Sequence, residues 1–199
     1  MGLSTAIGLA TSAGLNAYIP LLAYGLLARY TDFVSLPEGW MWLTDPILLS
    51  IVGALLLIEI VADKAPAVDS VNDVIQTLIR PTSGGLMFAS AFADETVSSG
   101  SVFSEPKTWV LLVVGFAVAL AMHLFKTTAR PAVNAGTAGL GAPVVSTAED
   151  VVAASLTATA IFAPVLVLVV LAIVLAPVVW MVVKFRQRVD KRRQRELSY

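Results

Sequence analysis

Glu59 and Asp63 stand one helical turn apart near the end of an apolar run, and Asp69, Asn72, Asp73, Gln76 and Arg80 follow at spacings of mostly three and four. Side chains so spaced share a helix face, so a carboxylate pair and a polar stripe ending in a guanidinium would meet the same neighbours. A set of this kind can bind a cation, or hold an anionic head group through Arg80. Leaving an ionisable group in hydrocarbon costs about 2.5–3.5 kcal/mol even on lenient scales, which makes Glu59 a functional candidate. The competing structural reading lets Glu59 reach water or Lys64 from the helix end, and pairs Asp69 with Lys64. For Asp73 a helix-capping role is the stronger reading.

A second stretch carries the opposite charge: His123, Lys126, Thr127 and Arg130. Lys126 and Arg130, four residues apart, could grip a phosphate group, arginine in a bidentate manner. Basic residues at a helix end are ordinarily snorkelling anchors, and Lys126 reads that way. Arg130 differs because it adjoins Pro131 and has the acidic stripe as a partner. His123 is a candidate proton relay, although a lone histidine more often has a structural role. With one histidine and no cysteine, multi-histidine and thiolate metal centres within one chain are excluded, and no HExxH or GxSxG motif occurs. No cofactor is evident. A bound monovalent or divalent cation stays open, with Asp63, Asp69 and Asp73 as oxygen ligands for the divalent case.

The elements that position these groups belong to a membrane. Hydrophobic residues make up 57% of the 199 and charged ones only 14%, with a mean hydropathy of +0.83, too apolar for a soluble domain of this length. The spacing predicts an all-α integral membrane protein of about six transmembrane helices, some broken or kinked, judged against the roughly 20 apolar residues a bilayer core requires. The first segment, Leu3 to Leu27, is rich in small and polar residues as far as Pro20, as close helix packing demands, and brings Asn16 into the path. The second starts at Pro46 with Asp45 as N-cap. The third, Val74 to Ala93, is expected to kink or break at Pro81-Thr82-Ser83-Gly84-Gly85. The fourth covers Trp109 to Phe125. Val151 to Val183 is too long for one span and divides at Pro164, so the 150–163 segment either crosses or re-enters.

Orientation follows from Lys and Arg in short flanking loops. Residues 1–185 form one transmembrane domain, and 186–199 a basic tail that stays in the cytoplasm of a bacterium, below its inner (plasma) membrane. Trp40, Trp42 and Trp109 are expected at the outer interface and Trp180 near the inner one. The partners implied are the lipid bilayer, anionic lipid at the tail, and a second copy of the chain as a homodimer; nothing points to nucleic acid.

Internal repetition links the two charged stretches. Lys64-Ala65-Pro66-Ala67-Val68-Asp69 matches Ala129-Arg130-Pro131-Ala132-Val133-Asn134, giving repeat-like hinges at 63–73 and 128–149. Each is followed by a start resembling a capping box, Ser70-Val71-Asn72-Asp73 and Ser146-Thr147-Ala148-Glu149. Gly136 to Pro143 lengthens the second hinge and reads equally as a flexible loop. Pro-interrupted, paired segments are the sequence pointer to broken helices in transporters.

The runs Gly14 to Pro20, Ala62 to Asp73 and Lys126 to Gly136 resemble a bacterial multi-pass membrane family known only as a domain of unknown function, number 4126. The resemblance spans nearly the whole chain and implies a fold family without an established activity, so no catalytic residue carries over. The residues themselves point first to a small transporter or lipid flippase whose site comprises Glu59, Asp63, Asp69, Asn72, Asp73, Arg80, Arg130, Asn134 and Asn16. A membrane enzyme acting on a lipid or phosphate group, and a non-catalytic structural or regulatory subunit, are the alternatives.

Overall fold

The computed structural model describes residues 2–64, 66–92, 102–137, 141–173 and 176, the side chains of 66–71 and 131–135 excepted. Among the described residues the chain is all-helical, with no strand: α1 (Leu3–Leu15), α2 (Tyr18–Tyr30), a 3₁₀ segment (Glu38–Thr44), α3 (Pro46–Ala62), α4 (Pro66–Phe92), α5 (Pro106–Thr137), α6 (Ala142–Phe162) and α7 (Pro164–Ile173).

The stretch Pro106–Arg130 within α5, and α6, are long and apolar enough to cross a membrane. The 3₁₀ segment and α3, bent by 52° at their junction, would make a third span if counted together. Among the described residues fewer segments qualify than the six expected, because α1 and α2 are short and α4 carries the polar stripe; the residues directly after Ile173 lie outside the described ones. At 1.5 Å per residue, the 13 residues of α1 reach about 20 Å, less than the ~30 Å of a hydrocarbon core.

α1 is the central element, packing against α4, α5 and α6. From Gly8 to Leu15 every residue is buried, on all sides of the helix, and Ala6, Leu9, Ala10 and Ala13 are fully inaccessible, as a helix enclosed by its neighbours requires. α4 and α5 form the most extensive pair. A methyl group on Gly84 would overlap the Ala119 Cβ, and one on Gly115 would overlap the Phe88 Cβ and the Gly84 carbonyl oxygen. These two glycines therefore bring the helix backbones together, the small-residue contact typical of membrane helix pairs.

That contact explains one difference from expectation. The Pro81 to Gly85 stretch does not break α4, which runs on to Phe92 with Pro81 inside it. Side-chain hydrogen bonds hold the helix directly after the proline: Thr82 Oγ1 donates back across it to the Leu78 carbonyl at 2.7 Å, and the buried Ser83 Oγ to the Ala17 carbonyl at 2.8 Å. The glycines serve helix contact instead of a turn.

The hinges differ too. α4 begins at Pro66 itself, a residue whose fixed φ and missing N–H suit a first helical turn, so Ser70 to Asp73 lies inside the helix and not at its start. Ala129 to Asn134 is part of α5, which continues through Pro131 to Thr137. α6 starts at Ala142 with Pro143 in its first turn, leaving Ser146 buried within the helix and not at a capping box. The actual breaks are elsewhere. Asn16, extended at φ −144°, separates α1 from α2, so Pro20 falls in the first turn of α2. Ala163 separates α6 from α7 immediately before Pro164, where the sequence places a division.

Two expectations of detail fare differently. Asp45 caps α3, its carboxylate accepting from the backbone N–H of Ile47 at 2.8 Å and Leu48 at 3.0 Å. Trp40, by contrast, is a core residue at 1% exposure, stacked against Trp42, whereas Trp42 and Trp109 are exposed. Trp180 and the basic tail lie outside the described residues.

Candidate functional site

The C-terminal end of α3, the first half of α4, the second half of α5 and the N-terminal part of α6 bring their charged residues together. Asp63 is the hub. It occupies the C-cap position of α3, and its Oδ2 lies 3.0 Å from Lys126 Nζ, 3.3 Å from Arg130 Nη2 and 3.4 Å from Arg80 Nη2, while Oδ1 accepts from Asn72 Nδ2 at 2.7 Å. One turn earlier, Glu59 faces the same way and accepts from Arg80 Nη2 at 2.8 Å. It pairs with Arg80 and not with Lys64, whose ammonium donates to the Ile60 carbonyl at 2.8 Å.

α4 contributes Asp73, Gln76 and Arg80 at helical spacing, so all three follow one stripe. Arg80 is completely buried; besides its two bonds to α3 carboxylates it stands 3.6 Å from Asp73. α5 contributes His123, Lys126 and Arg130, again at spacings of three and four. α6 contributes Glu149, which is bonded to Arg130 and lies 3.2 Å from Lys126. Asp150, next along α6, accepts from Asn16 Nδ2 at 3.0 Å. The Asn16 side-chain oxygen meanwhile accepts from the N–H groups of Tyr18 and Ile19 at 3.1 and 3.2 Å, capping α2.

The hydrogen bonds of His123 define its state. Arg80 Nη1 can only donate, so at 3.3 Å His123 Nδ1 is the acceptor. Thr77 Oγ1 gives its own hydrogen to the Asp73 carbonyl, so at 3.0 Å it receives one from His123 Nε2. This pattern fits a neutral imidazole carrying its hydrogen on Nε2. A second proton on Nδ1 would point at the guanidinium.

Four carboxylates (Glu59, Asp63, Asp73, Glu149) therefore surround three cations (Arg80, Lys126, Arg130) among the described residues. Burying such charges is tolerated only with mutual pairing and further hydrogen bonds, and Asp63 has both. Others are less complete: Glu59 Oε2, Gln76 Oε1, Asp73 Oδ1 and Arg80 Nε have no hydrogen-bond partner.

Of the sequence candidates, Glu59, Asp63, Asn72, Asp73, Arg80, Arg130 and His123 gather in one network. Asn16 joins its margin through Asp150. The side chains of Asp69 and Asn134 lie outside the described residues, and so does the Asp69 pairing with Lys64 or Arg130. Lys126 is a correction: it is 2% exposed, and instead of snorkelling it donates to Asp63 and to the Leu15 carbonyl, the latter at 3.2 Å. The basic groups that could have gripped a phosphate are engaged with carboxylates. Glu149, read from sequence as a capping-box acid, and Asp150 are the missed members; their signal was two adjacent acids entering an apolar run. Among the described residues no group of three His, Asp or Glu side chains could hold a metal ion.

Beside the core, a cavity of about 410 Å³ lies between α1, α5 and α7, lined by Ile7, Thr11, Val118, Met122, Phe125 and Leu171 among others. Met122 and Phe125 line it while their neighbours His123 and Lys126 point into the charged network, so one helix separates an apolar space from a polar one.

No curated protein and no solved structure matches the chain. A family model described as a domain of unknown function (DUF4126) does match, over residues 3–184 of the 199, and the chain belongs to that family.

Proposed function

We propose that the protein is a small multi-pass membrane transporter or lipid flippase, with about six membrane segments that include the short, broken helices. It would lie in the bacterial inner membrane with its basic C-terminal tail in the cytoplasm. The observation that carries this reading is the buried network around Asp63, assembled from α3, α4, α5 and α6 beside the broken α1–α2 pair. Ionisable residues kept inside a membrane bundle mark substrate and ion pathways, and broken helices at such a site are the transporter pattern.

One observation supports a second reading. Asp63 is satisfied on both oxygens, as it would be if the charges served to lock helices together in a structural subunit. Reconstitution into proteoliposomes separates the two. Solute flux or lipid translocation present in the wild type, and lost in folded Glu59→Gln or Arg130→Ala, supports transport. Activity no greater than that of empty liposomes across a broad panel of solutes and labelled lipids would leave the structural reading.

A further inference from the structure

We propose that the charged core holds one exchangeable proton, carried by the Glu59 carboxyl group, and that this proton is the coupling ion of the transporter; the coupling role, though not the proton site, rests on the transport reading above. The titratable and charged groups of the network and its margin account for the choice. On α2 stands Tyr18, beside Gln76; after α3 come Asp63 and Lys64; α4 presents Asp73 and Arg80; α5 presents His123, Lys126 and Arg130; α6 presents Glu149 and Asp150. Among the described residues, with His123 neutral, Lys64 bonded to the Ile60 carbonyl and Asp150 to Asn16, the three cations of the network leave one of its four carboxylates uncompensated.

Glu59 is the one. Asp63 has three cations and Asn72; Glu149 has Lys126 and Arg130. Asp73 Oδ1 is buried without a hydrogen bond but stands 3.6 Å from Arg80, and the side chain as a whole is 15% exposed; Asp150 is half-buried and bonded to Asn16. Glu59 is 2% exposed, shares its single cation with Asp63 and Asp73, and leaves Oε2 without any partner. A buried carboxylate in that position takes up a proton sooner than bear the charge.

A second, independent group indicates what is missing. Gln76, also 2% exposed, lies one turn before Arg80 on the same stripe of α4, and its Oε1 has no donor. Bare acceptors on both α3 and α4 call for a hydrogen. A proton taken up from bulk solvent onto Oε2 converts the carboxylate to a carboxylic acid, supplies one O–H donor, and balances the charges of the network's described residues. Arginine and lysine already occupy the cation positions, which leaves room for a proton where a metal ion would need several free ligands.

The test is infrared spectroscopy of the purified, lipid-reconstituted protein. At neutral pH the wild type should show the carbonyl stretch of a protonated carboxylic acid, sensitive to exchange into D₂O, that disappears in Glu59→Gln and persists in the exposed control Asp32→Asn. Glu59→Gln, which imitates the protonated state, should fold and melt close to the wild type. Four outcomes would overturn the proton site: no such band in the wild type, a band retained in Glu59→Gln, failure of Glu59→Gln to fold, or a band altered when sodium is exchanged for choline at fixed pH. A band with no flux in any transport assay would remove the transport reading and leave the proton site standing; flux without the band would do the reverse.

Discussion

Lys126 Nζ lies 3.0 Å from Asp63 Oδ2, joining the C-terminal end of α3 to the middle of α5 where neither side chain reaches solvent. Each would be a costly isolated charge; together with Arg80 and Arg130 they form the electrostatic centre of the fold.

Asp63→Asn should be among the most destabilising single substitutions in the protein. It strips three buried cations of a shared carboxylate, a class of change that costs about 3–5 kcal/mol. Unfolding in mixed micelles, compared with Glu149→Gln, checks the order: Glu149, whose side chain is 15% exposed, should cost less.

The Asp63–Lys126 contact itself can be isolated by a double-mutant cycle. Asp63→Asn combined with Lys126→Met should be less destabilising than the sum of the two single changes, with a coupling of about 0.5–3 kcal/mol. Strict additivity would mean that the contact contributes nothing beyond its two residues separately.

Gly115→Ala should destabilise the α4–α5 pair by about 1–3 kcal/mol, because its methyl group enters space held by Phe88 and the Gly84 carbonyl. Gly136→Ala is the matched control. Its added methyl meets nothing within 4 Å, and in a helix the exchange should be neutral or stabilise by roughly 0.5–1 kcal/mol. Equal responses at the two sites would contradict the packing described.

Asp45→Ala removes the cap of α3 and should cost about 1 kcal/mol, with Asp45→Asn largely preserving stability. Thermal melting of the three proteins side by side measures this directly.

How far these features could be read in the sequence varied with the range of the interaction that creates them. Local ones were legible: Asp45-Pro46 announces a helix start through bonds two and three residues away, and the division before Pro164 follows from the proline. The face shared by Glu59 and Asp63, and that shared by Asp73, Gln76 and Arg80, follows from helical periodicity alone. Features decided by a neighbouring helix were misread. Lys126 has the spacing of a snorkelling anchor, and only the arrival of Asp63 and the Leu15 carbonyl makes it a buried partner. Pro81 to Gly85 carries every local signal of a break, and α5 packed on Gly84 overrides them. Pro66 and Pro131 share a motif, yet one starts a helix and the other is carried inside one, a distinction that the matching residues cannot encode.

Asn16 has a consequence for motion. Its amide serves two clients: the oxygen holds the first turn of α2, and the nitrogen holds Asp150 on α6. The elbow between the first two helices is therefore geared to a third, because swinging α6 away withdraws the nitrogen's acceptor and frees the side chain to rotate off the cap. Bending at that elbow and displacement of α6 are thereby linked, a tie that Asn16→Ala would remove while leaving the Ser12 bonds to Ala153 and Thr157 on α6 in place.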